Sequence, residues 1–272
     1  MKTIIDLFFL TFLITIIPVH ADEDEKNVYV LRFIEVDQTN VEAFEAAVAE
    51  KTQRFNRSPD SDKWYTHKVI TGPRVGQYVR WFGPVSWNDL DNPETSLRIA
   101  GAASAAPDST LQHEEHRYWK EKVSSLQKSV SVEVWQEIVA ARANNLPNSV
   151  PTRYLSLHRW QMKPGKYKEK TMLSIQYSKA IQETGLKINR SVGRLQSGGN
   201  WLTFGDWIGF NNWSDYGKRA NLDNMGKTFD KVHGDDSFET FLTEFNEVHQ
   251  QASATEAELM MYLPELSSIP LP

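Results

Sequence analysis

The feature that most restricts how this chain can fold is an internal repeat: residues Val28 to Ile138 and Arg153 to Leu263 read with the same succession of elements, and such self-similarity fixes the architecture before any single element does. Each copy opens on a strand with period-two alternation, Val28 to Val36 and Tyr154 to Trp160. A helix follows, with apolar residues at Val41, Phe44, Ala47, Val48 and Phe55 in one copy and at Tyr167, Met172, Ile175 and Ala180 in the other. Spacings of three and four put these on one face. Two hairpins come next: Trp64 to Ile70 with Gln77 to Val85 around Gly72-Pro73 and Gly76, and Leu186 to Leu195 with Trp201 to Phe210 around Gly198-Gly199. The copies agree best just beyond, where Val85-Ser86-Trp87-Asn88-Asp89-Leu90 matches Asn211-Asn212-Trp213-Ser214-Asp215-Tyr216. Ser86 or Asn212 caps a new helix there, and the Trp packs its first turn on the sheet. Mostly helical sequence then runs to about Leu126 or Gln251, broken at Ala106-Pro107-Asp108 and at Gly234-Asp235-Asp236. Each copy closes on a strand, Ser129 to Ile138 and Glu256 to Leu263.

The order is β-α-β-β-α-β, the ferredoxin-like arrangement. The expected fold class is α+β, with two tandem ferredoxin-like halves packed sheet to sheet. A four-stranded sheet with helices on one face leaves the other face wet, and a covalently supplied second copy removes that area from water at roughly 25 cal/mol per Å². The expected domains are residues 22–139 and 153–272, joined by a linker over 140–152 containing Asn144-Asn145-Leu146-Pro147-Asn148. Two such halves, each with a Trp-Asn/Ser-Asp signature after its third strand, resemble the dimeric α+β barrel superfamily, which includes antibiotic-biosynthesis-type monooxygenases, haem-degrading oxygenases, chlorite dismutases and dye-decolorising peroxidases. The resemblance implies that the two halves pack sheet to sheet as an intrachain dimeric α+β barrel over nearly the whole mature chain. It implies no activity, because no member's catalytic motif is matched: Gly234-Asp235-Asp236-Ser237 departs from the glycine-Asp-Gly signature of the peroxidase branch.

Residues 1–21 read as a secretory signal peptide. Lys2 precedes an apolar run from Leu7 to Ile17, Pro18 ends the run, and Val19-His20-Ala21 places small residues for cleavage after Ala21. The run is shorter than the ~20 residues that span a bilayer, so a secreted or periplasmic protein with no remaining membrane span is expected. With no cysteine, disulfides, thiolate ligands and cysteine nucleophiles are excluded. A net charge of −5 with 30 scattered Lys and Arg argues against a nucleic-acid partner. Nine Trp residues supply large apolar area with an indole N–H, suited to core or pocket.

The two opening strands differ where chemistry could reside: Phe33 in one copy stands opposite His158 in the other. Tyr154, Ser156, His158 and Trp160 share a strand face, expected to look into the space between the sheets, with Leu155 and Leu157 under the helices. His158 there could serve as a general base or ligate a metal or haem iron, against the plainer reading of a hydrogen-bonded core histidine. Trp64, Tyr65 and His67 with Tyr78, Arg80 and Trp81 form an aromatic and polar group in the first half; Trp201, Phe204, Asp206 and Trp207 are its counterpart. Such groups orient a flat ligand or fill a core. Asp206, between glycine and indoles, is a candidate base with a raised pKa. His113-Glu114-Glu115-His116 lacks the four-residue imidazole spacing of the zinc-protease motif and reads as a solvated charged face. His233 and His249 are assigned no role.

No phosphate loop, nucleophile elbow or Ca²⁺ loop is present in the sequence, and no metal site is assigned. Four readings of function follow. The first is an exported protein binding a small aromatic or apolar ligand in a Trp-lined cavity. The second is a cofactor-independent monooxygenase or isomerase using His158 or Asp206. The third is a haem protein with His158 as axial ligand, and the fourth an assembly module working through an exposed sheet edge. Cofactor and oligomeric state are not assigned.

Overall fold

The computed structural model describes residues 25–59, 61, 63–91, 109–147, 151–219 and 221–269. The expected signal peptide and the Ala106-Pro107-Asp108 break lie outside them. Nine strands run in chain order as β1 Val28–Val36, β2 Tyr65–Thr71, β3 Tyr78–Val85, β4 Gln127–Glu137, β5 Ala143–Asn144, β6 Tyr154–Gln161, β7 Ile188–Ser197, β8 Thr203–Phe210 and β9 Glu256–Tyr262. The helices named below are α1 Val41–Phe55, α2 Trp87–Asp91, α3 Ser109–Tyr118, α4 Tyr167–Glu183, α5 Trp213–Arg219, α6 Leu222–His233 and α7 Ser237–Val248.

All strands belong to one sheet in the order β4-β1-β3-β2-β9-β6-β8-β7-β5, and a further β4–β7 pairing closes it. The expected open sheets are therefore joined edge to edge, by His67↔Tyr262 and its neighbours at one seam and Trp135↔Leu195 at the other, and eight strands form a closed barrel. Closure leaves no long free edge among the described strands, which removes the template that strand-edge assembly needs. At the second seam the backbones approach so closely that a Cβ on Gly198 (φ +92°) would sit 2.1 Å from the Val132 carbonyl oxygen; only glycine fits that turn. The linker is not plain coil: Ala143 and Asn144 form β5, pairing with Arg190 and Asn189 of β7.

A barrel wrapped in helices buries both faces of each strand, which explains why β1 buries Val28, Val30, Leu31, Phe33 and Ile34 together and reads as a near-continuous apolar run. The barrel interior is packed by Leu31, Phe33, Val69, Val79, Trp135, Leu157, Leu195 and Met260, contributed from around the ring. The outer face of β6 to β8 packs on α4, α6 and α7 through Leu173, Ile181, Ile208, Phe210, Met225, Phe229 and Phe241. This reverses the expected orientation of β6. Leu155 and Leu157 point into the barrel, while Tyr154 and His158 lie on the helix side. Period-two alternation separates two faces but cannot say which is inside when both are apolar.

One barrel end is closed by charge. Arg74 bonds Glu258 through Nε at 2.7 Å and Glu133 at 3.2 Å, Arg159 bonds Glu133 at 2.9 Å, and the Trp135 indole N–H donates to Glu133 at 2.9 Å. Paired and multiply bonded charges are the form in which ions tolerate burial. The matched helix starts behave alike: the Asp89 N–H donates to Ser86 Oγ at 3.1 Å, and the Asp215 N–H to Asn212 Oδ1 at 2.9 Å. The expected break in the second half lies between α6 and α7.

Two further features depart from the sequence reading. Glu115, expected on a solvated face, is fully buried and ion-paired with Lys51, while Asn56 donates to it at 3.1 Å; its neighbour Glu114 remains on the surface with Arg54 at 2.9 Å. A charged string on a helix still turns one residue in four inward, and a buried partner makes that tolerable. The C-terminal segment docks on the first half: the Trp64 N–H donates to Ser268 Oγ at 2.8 Å, the Thr66 N–H to Ser267 Oγ at 2.9 Å, and Arg80 to the Leu266 carbonyl at 3.0 Å.

Candidate functional site

The residues singled out in the sequence separate into two cavities, and some lie in neither. Between the outer face of β6 to β8 and helices α4 and α7 is a cavity of about 230 Å³ that touches His158, Trp160, Lys170, Asp206, Arg190 and Arg219, with Phe238, Phe241 and Phe245 on its apolar side. Strand register places His158 directly beside Asp206. Asp206 is ion-paired with Arg190, which also donates to the Ser174 carbonyl at 3.0 Å. Burial alone would raise the Asp206 carboxyl, but Arg190, Lys170, His158 and Arg219 together hold it below the ordinary aspartate value. The expectation of a raised pKa is thus overturned: the strand brings more cations to this carboxylate than the flanking glycine and indoles suggested. His158 Nε2 lies 3.4 Å from the Tyr216 hydroxyl, which also contacts Ser156 Oγ at 3.2 Å. Burial first, and then Arg219, lower the His158 imidazole.

Lys170 is the centre of this site, and nothing in the sequence reading pointed to it. It leaves α4 four residues before Ser174, its side chain is 2% exposed, and its ammonium sits 5.9 Å, 5.8 Å and 5.2 Å from the ring centroids of Trp160, Phe204 and Phe245. No hydrogen-bond or ion-pair partner for this ammonium occurs among the described residues, although it borders the cavity. Burial pulls its pKa down to about 8, which leaves it charged at neutral pH. Arg219 is similarly placed: its Nε is buried without a partner among the described residues, and its guanidinium lies 5.1 Å from the Tyr216 ring centroid. Lys170, Arg190 and Arg219 therefore face a single carboxylate, Asp206. The sequence signal was an apolar helix face interrupted by a lysine, which only the fold identifies as inward.

The second cavity opens at the barrel end opposite the charged floor. Its deeper part, about 160 Å³, is lined by Leu31, Trp81, Trp135, Leu155, Trp207 and Met260, and its mouth, about 340 Å³, by His67, Tyr65, Arg142 and Asn189 among others. Tyr65 stacks on Trp81 at 4.1 Å, and Trp135 meets Trp207 edge to face at 4.6 Å. Trp207 lies across glycines: a Cβ on Gly205 would meet its ring at 2.7 Å. At the rim Glu137 accepts from Tyr29 at 3.2 Å and from Arg142 Nε at 3.0 Å.

The remaining candidates stand apart. Trp64 and Arg80 are buried under α1, with the Arg80 guanidinium 5.4 Å from the Trp64 ring centroid. The first-half group expected from sequence is thus divided by the sheet, His67 and Trp81 inside, Trp64 and Arg80 outside. Tyr154 stacks on Phe210 at 5.3 Å, outside the cavity lining. Trp201 is 57% exposed at the β7–β8 turn beside Arg194. His249, assigned nothing, is buried against Phe245 and Trp160.

Haem is not accommodated at His158. The residues do not fit it: the imidazole Nε2 is engaged by Tyr216, and about 230 Å³ falls below the ~300–1,000 Å³ usual for larger ligands. Among the described residues no group of three His, Asp or Glu is arranged to hold a metal ion, and no helix is long and apolar enough to cross a membrane.

Three solved structures share this architecture. A protein from Lactobacillus acidophilus NCFM, a monooxygenase by inference, aligns with TM-score 0.54 and 8% identity over 90% of this chain and 97% of its own. A second monooxygenase by inference, from Fusobacterium nucleatum subsp. nucleatum, aligns with TM-score 0.51 and 8% identity over 87% and 92%. A doubly substituted chlorite dismutase from Candidatus Nitrospira defluvii aligns with TM-score 0.51 and 9% identity over 89% and 94%. The shared fold is a mixed α+β arrangement whose sheet closes into a barrel. Identities this low carry the fold of these barrels and leave function to the site. No family model and no curated protein matches the sequence.

Proposed function

We propose that this chain is an exported binding protein for a small apolar or aromatic ligand that ends in an anionic group, held in the Trp160-lined cavity between the sheet and helices α4 and α7. The observation that carries the reading is the buried Lys170 ammonium, bordered by aromatic rings and in direct contact with no carboxylate among the described residues. Isolated buried ammonium groups are costly to hold, and a ligand carboxylate supplies the missing partner while its tail lies against Phe238, Phe241 and Phe245. Titration calorimetry with decanoate and decanol, alike in chain length and unlike in charge, tests this. Decanoate is expected to bind at least tenfold more tightly than decanol, and Lys170→Met to abolish that preference, since truncating one side of a desolvated charge pair costs about 2–5 kcal/mol. Equal binding of the two, or a preference that survives Lys170→Met, would refute the reading.

Cofactor-independent oxygenation or isomerisation is the second reading, and two fold neighbours are monooxygenases by inference. An Asp206 carboxylate held low by Arg190 is a weak proton acceptor, which favours binding over base catalysis here. Further to the site, the leader at 1–21 directs secretion or periplasmic delivery, and residues 22–139 and 153–272 are ferredoxin-like repeats. What supports the repeat is the matched strand order, β4-β1-β3-β2 against β9-β6-β8-β7. Sequencing the N-terminus of the mature protein tests the leader, with Asp22 expected first.

A further inference from the structure

The barrel mouth contains a hydrogen-bond donor with no partner among the described residues. His67 is 3% exposed, and the Trp81 indole N–H donates to its Nδ1 at 3.3 Å. Indole nitrogen is only a donor, so Nδ1 is the acceptor and the ring proton is on Nε2. No partner for Nε2 occurs among the described residues, and the imidazole lines the mouth cavity. Glu137 cannot serve a ligand equally well, since both its oxygens already accept from Arg142 and Tyr29. The mouth thus places the neutral His67 N–H, with the Asn144 and Asn189 amides at the rim, above an apolar slot whose walls include the Trp81 and Trp207 indoles. Aromatic walls favour a flat ring system, and a neutral donor whose neighbouring cations, Arg142 and Arg190, are already paired with Glu137 and Asp206 favours an uncharged acceptor over a carboxylate.

We propose that the open end of the barrel is a second ligand site, separate from the Lys170 cavity, for a neutral flat aromatic ketone or quinone whose carbonyl oxygen accepts the His67 Nε2–H while its rings lie against Trp81 and Trp207. Burial lowers the His67 pKa to about 3, so the imidazole keeps one proton and no charge across the physiological range. The site has the floor of the charged Arg74–Glu258–Glu133 network beneath it, which limits depth and excludes long chains.

The test uses the full chain, with 9-fluorenone and its carbonyl-free counterpart fluorene as probes, read by quenching of tryptophan fluorescence. Fluorenone is expected to bind about tenfold more tightly than fluorene, as one hydrogen bond to an otherwise unsatisfied donor provides, and His67→Phe to bring the two together. Fluorenone affinity in the unmodified chain is expected to stay constant from pH 5 to pH 9, and excess decanoate not to displace it. No preference for the ketone, a preference that survives His67→Phe, a fall in affinity through the ordinary histidine range, or displacement by decanoate would each overturn the proposal. The pH and displacement arms need no variant, so a His67→Phe chain that fails to fold leaves the proposal testable. The displacement arm also separates this site from the Lys170 reading, whose failure would leave the fluorenone comparison standing.

Discussion

Replacing Lys170 by methionine should make the protein more stable while emptying its proposed site. The ammonium is 2% exposed among Trp160, Phe204 and Phe245, and its pKa falls from the ordinary lysine value to about 8. At 1.36 kcal/mol for each tenfold change in proton affinity, holding that charge costs the fold about 3 kcal/mol at neutral pH. Methionine has nearly the same length, fills the aromatic cage and carries no charge to desolvate. For a domain of this size 1 kcal/mol moves the melting temperature by roughly 2–4 °C, so an increase of roughly 6–12 °C is expected at pH 7. The pH dependence fixes the cause. Below pH 8 both folded and unfolded chains carry the proton, and the full cost is present. Between about pH 8 and the unfolded lysine value the unfolded chain binds more protons, so wild-type stability rises with pH, and the gap to Lys170→Met closes. Urea unfolding of both proteins at pH 7, 8, 9 and 10 measures this. A Lys170→Met protein that is less stable than wild type at pH 7, or a gap that does not change with pH, would show that the ammonium is structurally paired and refute the reasoning.

Other perturbations have definite expectations. Glu115→Gln neutralises the buried carboxylate paired with Lys51 and should lower stability by about 3–5 kcal/mol in urea unfolding; the double change with Lys51→Met should recover most of it. Gly205→Ala forces a methyl group into the Trp207 and Trp135 rings and should lower stability by about 1–3 kcal/mol, with a shift in the near-ultraviolet circular dichroism of the indoles. Asp206 is held below its ordinary value, so the stability it contributes is present above the unfolded aspartate pKa and lost as pH falls through the lower folded one. The wild-type advantage over Asp206→Asn should accordingly shrink on acidification. Ser86→Ala removes the acceptor for the Asp89 N–H and should cost about 1 kcal/mol.

Much of the architecture was legible because local signals agree with the global fold. The Ser86 and Asn212 caps, the glycine turns and the strand positions all follow from turn and cap chemistry acting within a few residues. What was not legible depends on three-dimensional closure. The parity of β6 was right, but which of its faces lay inside could not be read, since Leu157 and His158 are each buried on their own side. Lys170 and Glu115 look like surface residues because charge usually means solvent; their burial follows from where α4 meets the sheet and α3 meets α1. His67 and Trp81 were picked out together, yet the hydrogen bond that sets the imidazole tautomer comes from strand pairing of Tyr65 with Trp81, which brings side chains fourteen positions apart into contact.

The docked C-terminal segment has a consequence for how the protein comes into being. Ser267, Ser268 and the Leu266 carbonyl complete the hydrogen bonding of Trp64, Thr66 and Arg80, and β9 supplies the neighbour of β2. The amino-terminal portion cannot finish its own core from what has been synthesised up to that point. The two halves must therefore reach their final packing together, with residues 259–268 seated before the first-half core is complete.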